Sequence, residues 1–431
     1  MQVVELIVQV VKDDRRFHLL SCRCVGACQT STEVPRSERP VEPFARPTRT
    51  APLLNPTGVC TLGFATMTIS KMLQEIRQQP AVLERTLKAE LPGGNRLRRL
   101  FEKKKPRLIV LVARGTSDNA AQFGRYLLEI MTGIPVSLAA PSIYTLYHAS
   151  VNLHDTLVVA MSQSGESTDT NLVLTEANQQ HAMTVGITNE ASSTLAKLAD
   201  HVFLVGAGKE KSVPATKTYT GQLLMLYLLA HALGGAIDLD KLRRVPEWAG
   251  AALKMETEIA ERAERYRFMD QALVVGRGLN YSNAFEFALK LMETCYVVAE
   301  RFSSADLLHG PIAMLEAAFP VFLFAPPGVT WTGLAQLLER LVQIRAEMLM
   351  ITDQSQRAAV ERFGSGRLSN HILIPLDLAA SRGPRDLWRR GRGGRWLRWC
   401  WRYMVFCCHS PTSACWPAHS PPFVSASAVP C

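Results

Sequence analysis

The sequence predicts an α/β protein with two tandem domains, each a parallel β-sheet covered by helices on both faces. Short, wholly apolar runs such as RLIVLVA (107–113) alternate with helical segments, which is typical of strands buried inside a parallel sheet. The segment RLIVLVARGTSDNAAQFGRYLLEI then returns as QALVVGRGLNYSNAFEFALKLMET. Arg114 and Arg277, 163 residues apart, therefore hold equivalent places in a two-fold repeat.

The first copy contains five predicted strands separated by helical segments. Its apolar runs predict strands at 107–113, 134–140, 155–162, 182–188 and 200–206. Helical spacing and glycine stops predict helices at 119–133, 142–150, 168–181, 193–199 and 216–235. A further helix-compatible run, 67–87, precedes the first strand and marks the expected start of the folded part.

The second copy continues the pattern after a predicted linker helix at 245–266. Further strands are predicted within QALVVG, FPVFLFAPPG, AEMLMITD and NHILIPLD. This copy is expected to be incomplete, because a covering helix should follow ILIPLDL, where an aberrant tail begins. The predicted organisation is an N-terminal extension (1–66), a first domain (67–240), a linker (241–265), a second domain (266–380) and the tail (381–431).

The unusual composition of the chain is concentrated in its two ends. The net charge is +10, but the ends carry most of it and residues 67–380 carry about +1. This distribution argues against a nucleic-acid partner. Cys295 is the one cysteine between 67 and 380, which favours a reducing, cytoplasmic setting without a disulfide framework. The apolar run of the tail is too short for a membrane anchor, so a misread frame is the preferred interpretation of the tail. Residues 1–66 are rich in Pro and Arg and are expected to be a disordered or spurious extension.

The segment SQSGES (162–167) follows a buried strand and precedes a helix. Ligands of open parallel sheets bind beyond the carboxyl ends of strands, and a helix N-terminus favours an anion. The segment is rich in groups that could hold a phosphate: the hydroxyls of Ser162, Ser164, Ser167 and Thr168, the Gln163 amide, and the flexible Gly165. GTSDN (115–119) is a second such loop. A simple helix cap is the alternative for SQSGES, and the missing GxxxxGK[ST] pattern argues against a nucleoside triphosphate.

Four motifs, RGTSDNA, SQSGESTDT, KSVPATKTYT and ALKLMETCYVVAERFSSADLLHGP, resemble the two-SIS-domain family over roughly residues 70–378. The resemblance is to the isomerase half of glutamine–fructose-6-phosphate aminotransferase (glucosamine-6-phosphate synthase) and to stand-alone glucosamine-6-phosphate deaminases. It implies tandem SIS domains with flavodoxin-like layering. It also implies that a sugar phosphate is held by Thr116, Ser117, Ser162, Gln163, Ser164, Ser167, Val213 and Ala215. Ala215 and FSSADLLHGP are closer to the deaminase-like branch.

The resemblance assigns catalysis to the second copy. Glu293 resembles the base that moves a proton between C1 and C2 of the sugar, and Lys290 resembles a lysine of the same pocket. His309 resembles the ring-opening histidine, which in the family reaches the pocket of the neighbouring subunit and so implies a homodimer. Spacing alone would instead make Lys290 and Glu293 an ordinary i,i+3 surface pair. No metal or cofactor is expected, and the predicted partner is a phosphorylated amino sugar or ketose.

Two departures from the family qualify the expected activity. No glutaminase domain precedes the SIS segment, so free ammonia, and hence deamination, is expected. The Schiff-base lysine of the family's terminal tail has no counterpart after Lys290, so low turnover is expected. The sequence leaves open a non-catalytic sugar-phosphate regulator and an inactive fragment of a misread gene. It also leaves open whether the sugar is glucosamine, galactosamine or a fructosamine adduct.

Overall fold

The computed structural model describes residues 70–103, 105–363 and 369–374. It contains two five-stranded, wholly parallel sheets, each packed between helices, which confirms the predicted fold class. The N-terminal extension, the tail and the covering helix expected after ILIPLDL lie outside the described residues. Within them, no helix is both long and apolar enough to cross a membrane.

The first sheet has the strand order β2-β1-β3-β4-β5. Its strands are β1 (Leu108–Val112), β2 (Val136–Leu138), β3 (Thr156–Ser162), β4 (Met183–Thr188) and β5 (His201–Leu204). The central strand β3 is buried along its whole length, because helices cover both faces. The helices are α1 (Lys71–Phe101), α2 (Thr116–Thr132), α3 (Ser142–Thr145), α4 (Thr168–Gln179), α5 (Thr194–Leu198) and α6 (Lys217–Ala232).

The second sheet has the order β10-β9-β8-β6-β7, which is the order of the first sheet when each copy is counted from its own first strand. Its strands are β6 (Gln271–Gly276), β7 (Val298–Ser303), β8 (Pro320–Phe324), β9 (Glu347–Asp353) and β10 (Ser369–Ile374). Its helices are α10 (Asn280–Lys290), α11 (Ser304–Leu308), α12 (Trp331–Ile344) and α13 (Arg357–Phe363). The shared order and the positive φ of Gly115 (57°) and Gly278 (60°) support the predicted repeat.

Three short helices connect the copies: α7 (Leu239–Arg243), α8 (Val245–Leu253) and α9 (Glu256–Ala263). The single linker helix predicted over 245–266 is therefore divided in two at Lys254 and Met255. Short 3₁₀ turns complete the second half at Glu264–Tyr266, Pro311–Met314 and Gln354–Gln356.

Helix α1 extends from one copy to the other. Met72 and Ile76, near its start, belong to the apolar core of the second sheet, whereas Leu83 and Leu87 belong to that of the first. The helix is 31 residues long, includes Pro80 and continues beyond the predicted run through Pro92. Packing on both cores compensates for the cost of two prolines inside the helix.

The edge strand β7 was not predicted from the sequence. Glu300 and Arg301 interrupt its apolar pattern, and Val298 and Glu300 are exposed. An edge strand is solvated along one side, so charged residues are tolerated there and the continuous apolar signal of a central strand is lost.

Candidate functional site

A cavity of about 250 Å³ lies at the carboxyl end of the first sheet, where β1 is flanked by β2 and β3. This is the position at which open parallel sheets bind ligands. The cavity is lined by Arg114, Thr116, Ser117, Met161, Ser162, Gln163, Ser164, Ser167, Thr170, Val213, Ala215, Thr218, Gln222 and Glu293.

The structure brings nine of the eleven residues predicted for the site to this cavity. These are the eight residues predicted to hold the sugar phosphate together with Glu293. Lys290 and His309 do not line it. Thr168, a further predicted hydroxyl donor, is exposed at the start of α4, and Thr170 takes its place in the cavity wall.

Three helices begin at the cavity. Thr116 and Ser117 are the first two residues of α2, Ser167 is the N-cap of α4, and Ala215 lies just before α6. These helices are 17, 12 and 16 residues long. The positive dipole ends of α2 and α4 make this position favourable for an anion, whereas the first N–H groups of α6 already donate to the Glu210 carboxylate.

The three serines of the SQSGES loop all accept backbone hydrogen bonds. Ser162 Oγ accepts from Gly165 N (3.1 Å), Ser164 Oγ from Glu166 N (3.3 Å) and Ser167 Oγ from Thr170 N (3.4 Å). Ser167 therefore does cap α4. An accepting hydroxyl keeps its own hydrogen to donate, so capping and phosphate binding are compatible at these serines.

Gly165 allows the loop to pack closely. Its φ is +68°, and a Cβ atom at this position would lie 2.1 Å from Ser193 Oγ. Its carbonyl oxygen accepts hydrogen bonds from Asn171 Nδ2 (3.1 Å) and Leu195 N (3.0 Å). A larger residue would strain the backbone and displace α5, so glycine is required on two grounds.

Two carboxylates hold the loop 209–216, which carries Val213 and Ala215 to the cavity. Glu210 accepts hydrogen bonds from Thr216 N (2.6 Å) and Lys217 N (2.9 Å) at the start of α6, and from Gln163 Nε2 (3.2 Å). The buried Glu75 of α1 accepts from Lys211 N (2.5 Å), Ser212 N (3.1 Å) and Ser212 Oγ. The loop is thereby fixed to α1, to α6 and to the SQSGES loop.

Lys290 is fully buried and is not part of a surface pair with Glu293, contrary to the expectation from spacing. Its ammonium group forms an ion pair with Glu286 and donates to the Ala215 carbonyl oxygen (2.6 Å). Glu286 in turn accepts from Thr116 Oγ1 (3.1 Å) and Asn119 Nδ2 (2.7 Å). This cluster joins α10 of the second copy to α2 and the 209–216 loop of the first.

Glu293 lies on a π-helical turn, Leu291–Cys295, that directly continues α10. Such turns often occur at functional sites because they redirect a side chain. Partial burial raises the pKa of the Glu293 carboxyl above its ordinary value, Lys290 lowers this pKa and Glu286 raises it. A carboxyl group with a raised pKa at a cavity wall is a candidate for proton transfer.

His309 follows α11 and is exposed. It is the C-cap of this helix, which begins directly after β7, the edge strand of the second sheet. Large apolar side chains are also exposed on this part of the chain, namely Tyr296 (76%), Val298 (66%) and Met314 (50%).

Sequence reasoning missed five polar residues that line or support the cavity: Arg114, Thr170, Thr218, Gln222 and Glu286. For two of these the sequence does carry a signal. Glu286 precedes Lys290 by four residues, the spacing of a helical ion pair. Gln222 is polar within the very apolar helix α6, and it is wholly buried. Arg114 forms an ion pair with Asp169 (2.6 Å) at the cavity rim.

Comparison with known proteins gives a consistent result. The SIS domain profile matches residues 101–232 and 268–365, one segment in each copy. The glutamine–fructose-6-phosphate aminotransferase (isomerizing) of Methanothermobacter thermautotrophicus is 35% identical over 309 residues, covering 71% of this chain and 52% of that protein. The enzyme of the same name from Symbiobacterium thermophilum is 38% identical over 267 residues, covering 58% of this chain and 44% of that protein.

A solved structure gives the same match in three dimensions. The C-terminal domain of glucosamine-fructose-6-phosphate aminotransferase from Francisella tularensis superposes with a TM-score of 0.65 at 28% identity. The match covers 72% of this chain and 90% of that domain. The chain spans about half the length of the two curated relatives above, and the solved structure that it matches is a C-terminal domain.

Proposed function

The chain belongs to the SIS domain family, and we propose that it binds a phosphorylated amino sugar and interconverts its aldose and ketose forms, coupled to loss or gain of ammonia. Glucosamine 6-phosphate and fructose 6-phosphate are the proposed pair. One observation carries the proposal: Glu293, with its raised pKa, shares a cavity with the hydroxyl-rich loop and three helix N-termini.

The phosphate is assigned to the loop end of the cavity. A phosphate dianion accepts hydrogen bonds but has no hydrogen to donate, so it needs a surface of donors. The hydroxyls of Ser162, Ser164 and Ser167 and the N-terminus of α4 supply such a surface. Arg114, at the rim, is half exposed and is paired with Asp169, so it offers further N–H donors rather than a net positive charge.

The proton transfer is assigned to Glu293. Moving the double bond of an open-chain sugar from C1 to C2 requires a base that takes a proton from one carbon and returns it to the other. Glu293 lines the cavity, and its pKa is raised above the ordinary value of a glutamate, which favours a role as such a base. Deamination would then release ammonia from the C2 amino group, with water supplying the ketone oxygen.

Lys290 receives an indirect role in this proposal, whereas His309 is proposed to act directly, in the cavity of a second copy. Lys290 is buried against Glu286, so it acts on the cavity through its charge and through the Ala215 carbonyl. His309 is exposed and does not line the cavity of its own chain, so a role in catalysis would place it in the cavity of a second copy. We therefore propose a homodimer in which each cavity is completed by its neighbour, as the family resemblance implies.

The proposed function is tested with the Glu293→Gln variant, which keeps the side chain's shape and removes its basicity. Calorimetric titration should give a Kd for glucosamine 6-phosphate within a few-fold of that of the unaltered chain. Ammonia release should fall by at least about 10²-fold, since general bases contribute roughly 10²–10⁴-fold in rate. Glu316→Gln, at an exposed position outside the cavity, is the matched control and should change neither quantity.

The outcome separates an enzyme from a regulator. Tight binding of glucosamine 6-phosphate by the unaltered chain, with neither ammonia nor ketose phosphate formed, would favour a non-catalytic sugar-phosphate-binding protein. Absence of binding would reject the cavity as a sugar-phosphate site.

A further inference from the structure

Two buried oxygen atoms at the cavity remain without partners. Gln222 is wholly buried and Thr218 is 1% exposed, yet both line the cavity. Among the described residues, neither Gln222 Oε1 nor Thr218 Oγ1 has a hydrogen-bond partner. The two residues are one turn apart on α6, so they lie on the same side of that helix.

An unsatisfied buried polar atom carries a cost, so its retention calls for an explanation. Gln222 Nε2 donates to Ser117 Oγ (2.8 Å), which fixes the amide and leaves Oε1 as an acceptor. A phosphate dianion has no hydrogen to offer such an acceptor. A donor is needed, which is either water or an O–H or N–H group of a ligand that displaces it.

We propose that Thr218 and Gln222 form a second subsite that reads the hydroxyl or amino groups of the ligand, apart from its phosphate. The proposal rests on the proposed function and adds a specificity that the phosphate-binding loop lacks. Gln222 has a second part in it: by donating to Ser117 Oγ, it leaves the Ser117 hydroxyl hydrogen free to point at the ligand. The subsite selects polyhydroxylated phosphates over inorganic phosphate.

The stability of the ligand-free protein gives a first test. Thr218→Val preserves the shape of the side chain and removes the unpartnered oxygen. The Tm of the ligand-free variant should stay the same or rise, because replacing an unsatisfied polar group by an apolar one removes a penalty. A clear fall in Tm would show that the hydroxyl has a structural partner, and it would overturn the proposal.

Binding gives the second test, with glucosamine 6-phosphate and inorganic phosphate as the two ligands. Thr218→Val and Gln222→Leu should each weaken glucosamine 6-phosphate binding by roughly two- to tenfold, the value of one neutral hydrogen bond. Neither change should alter the affinity for inorganic phosphate. Thr220→Val is the matched control on the same helix, because its hydroxyl already donates to the Lys217 carbonyl oxygen (3.2 Å) and does not line the cavity.

The two ligands separate failure of this inference from failure of the proposed function. Equal loss for both ligands would mean that the variants distort the cavity, and no loss for either would mean that water alone fills the subsite. Both results overturn the inference while leaving sugar-phosphate binding in place. An unaltered chain that binds no glucosamine 6-phosphate would reject the proposed function, and the inference with it.

Discussion

Lys290 shows how a single residue joins the two copies. A buried charge is tolerated when it is paired and hydrogen-bonded, and Lys290 has both the Glu286 carboxylate and the Ala215 carbonyl oxygen (2.6 Å). Its ammonium group also lies 5.7 Å from the centre of the Tyr219 ring. The charge is therefore held among α10, α6 and the 209–216 loop, next to the cavity.

Lys290→Met should destabilise the fold strongly. Removing one partner of a buried ion pair leaves the Glu286 charge uncompensated and costs about 3–5 kcal/mol. The midpoint of urea unfolding should fall accordingly, and adding Glu286→Gln should restore part of the loss. Lys241→Met, which breaks a half-exposed pair with Asp238, should cost less than about 1 kcal/mol. An equal loss in the free energy of unfolding for Lys290→Met and Lys241→Met would contradict a special role of the buried ion pair.

The pH dependence of activity should reflect the titration of the Glu293 carboxyl group. Its unprotonated form is the base, so kcat/KM should rise with pH through a pKa above the ordinary value of 4.5. Glu286→Gln removes a negative charge that raises the pKa of Glu293. The positive charge of Lys290, which lowers this pKa, then acts without that opposition. The acidic limb of the profile should therefore move to lower pH. An unmoved limb, or one moved to higher pH, would mean that another group controls it.

For individual residues, sequence patterns predicted which residues reach the cavity better than they predicted the burial and contacts of each side chain. The hydroxyl cluster and Glu293 are adjacent to recognisable motifs, so their arrival at one cavity could be expected. Thr168 and Thr170 could not be told apart, because the start of α4 decides which hydroxyl faces inward. The burial of Lys290 depends on packing between the copies, which the spacing of one helix does not contain.

Among the elements, helix α1 shows a role that its own pattern does not reveal. Its amphipathic spacing indicates a buried face, but not that this face spans two cores or that Glu75 reaches the 209–216 loop. The parallel strands were easier to predict, since burial on both faces makes them continuously apolar. The edge strand β7, with Glu300 and Arg301, lacks that signal.

Glu75→Gln should loosen the 209–216 loop. The glutamine keeps one acceptor oxygen for the Lys211 and Ser212 N–H groups and turns an amide donor towards the other. Amide hydrogen exchange in 209–216 should become faster. Affinity for glucosamine 6-phosphate should fall about tenfold, in keeping with the loss of a hydrogen bond to a charged group.

The matched control for this change is Glu84→Gln, which lies on the same helix with an exposed side chain. It should leave both exchange and affinity unchanged. Slow exchange retained in Glu75→Gln would show that Glu210 alone is sufficient to hold the loop.

On the scale of the whole molecule, the two copies share a topology but divide their tasks. The first sheet supplies the hydroxyl-rich loops that line the cavity, while the second supplies Glu293 and the Glu286–Lys290 pair. The alternation of strands and helices, together with the repeat, predicted this architecture. It did not predict the contact between α10 and α2, because contacts between copies depend on complementary shapes that no local pattern encodes.

In the proposed dimer, His309 of one copy lies in the cavity of the other. His309→Ala and Glu293→Gln should each be nearly inactive alone. If each cavity combines its own Glu293 with the histidine of its neighbour, a mixed dimer of the two variants contains one intact cavity. Unfolding and refolding the variants together in equal amounts should then restore about a quarter of the original activity, because half of the randomly paired dimers are mixed and each has one working site of two. If His309 served its own subunit, one cavity of the mixed dimer would lack Glu293 and the other would lack His309, and no activity would return.

Light scattering should also show a dimer, whose formation would cover the exposed side chains of Tyr296 and Val298 at the edge of the second sheet. A monomer that still turns over would remove the shared cavity from the proposal.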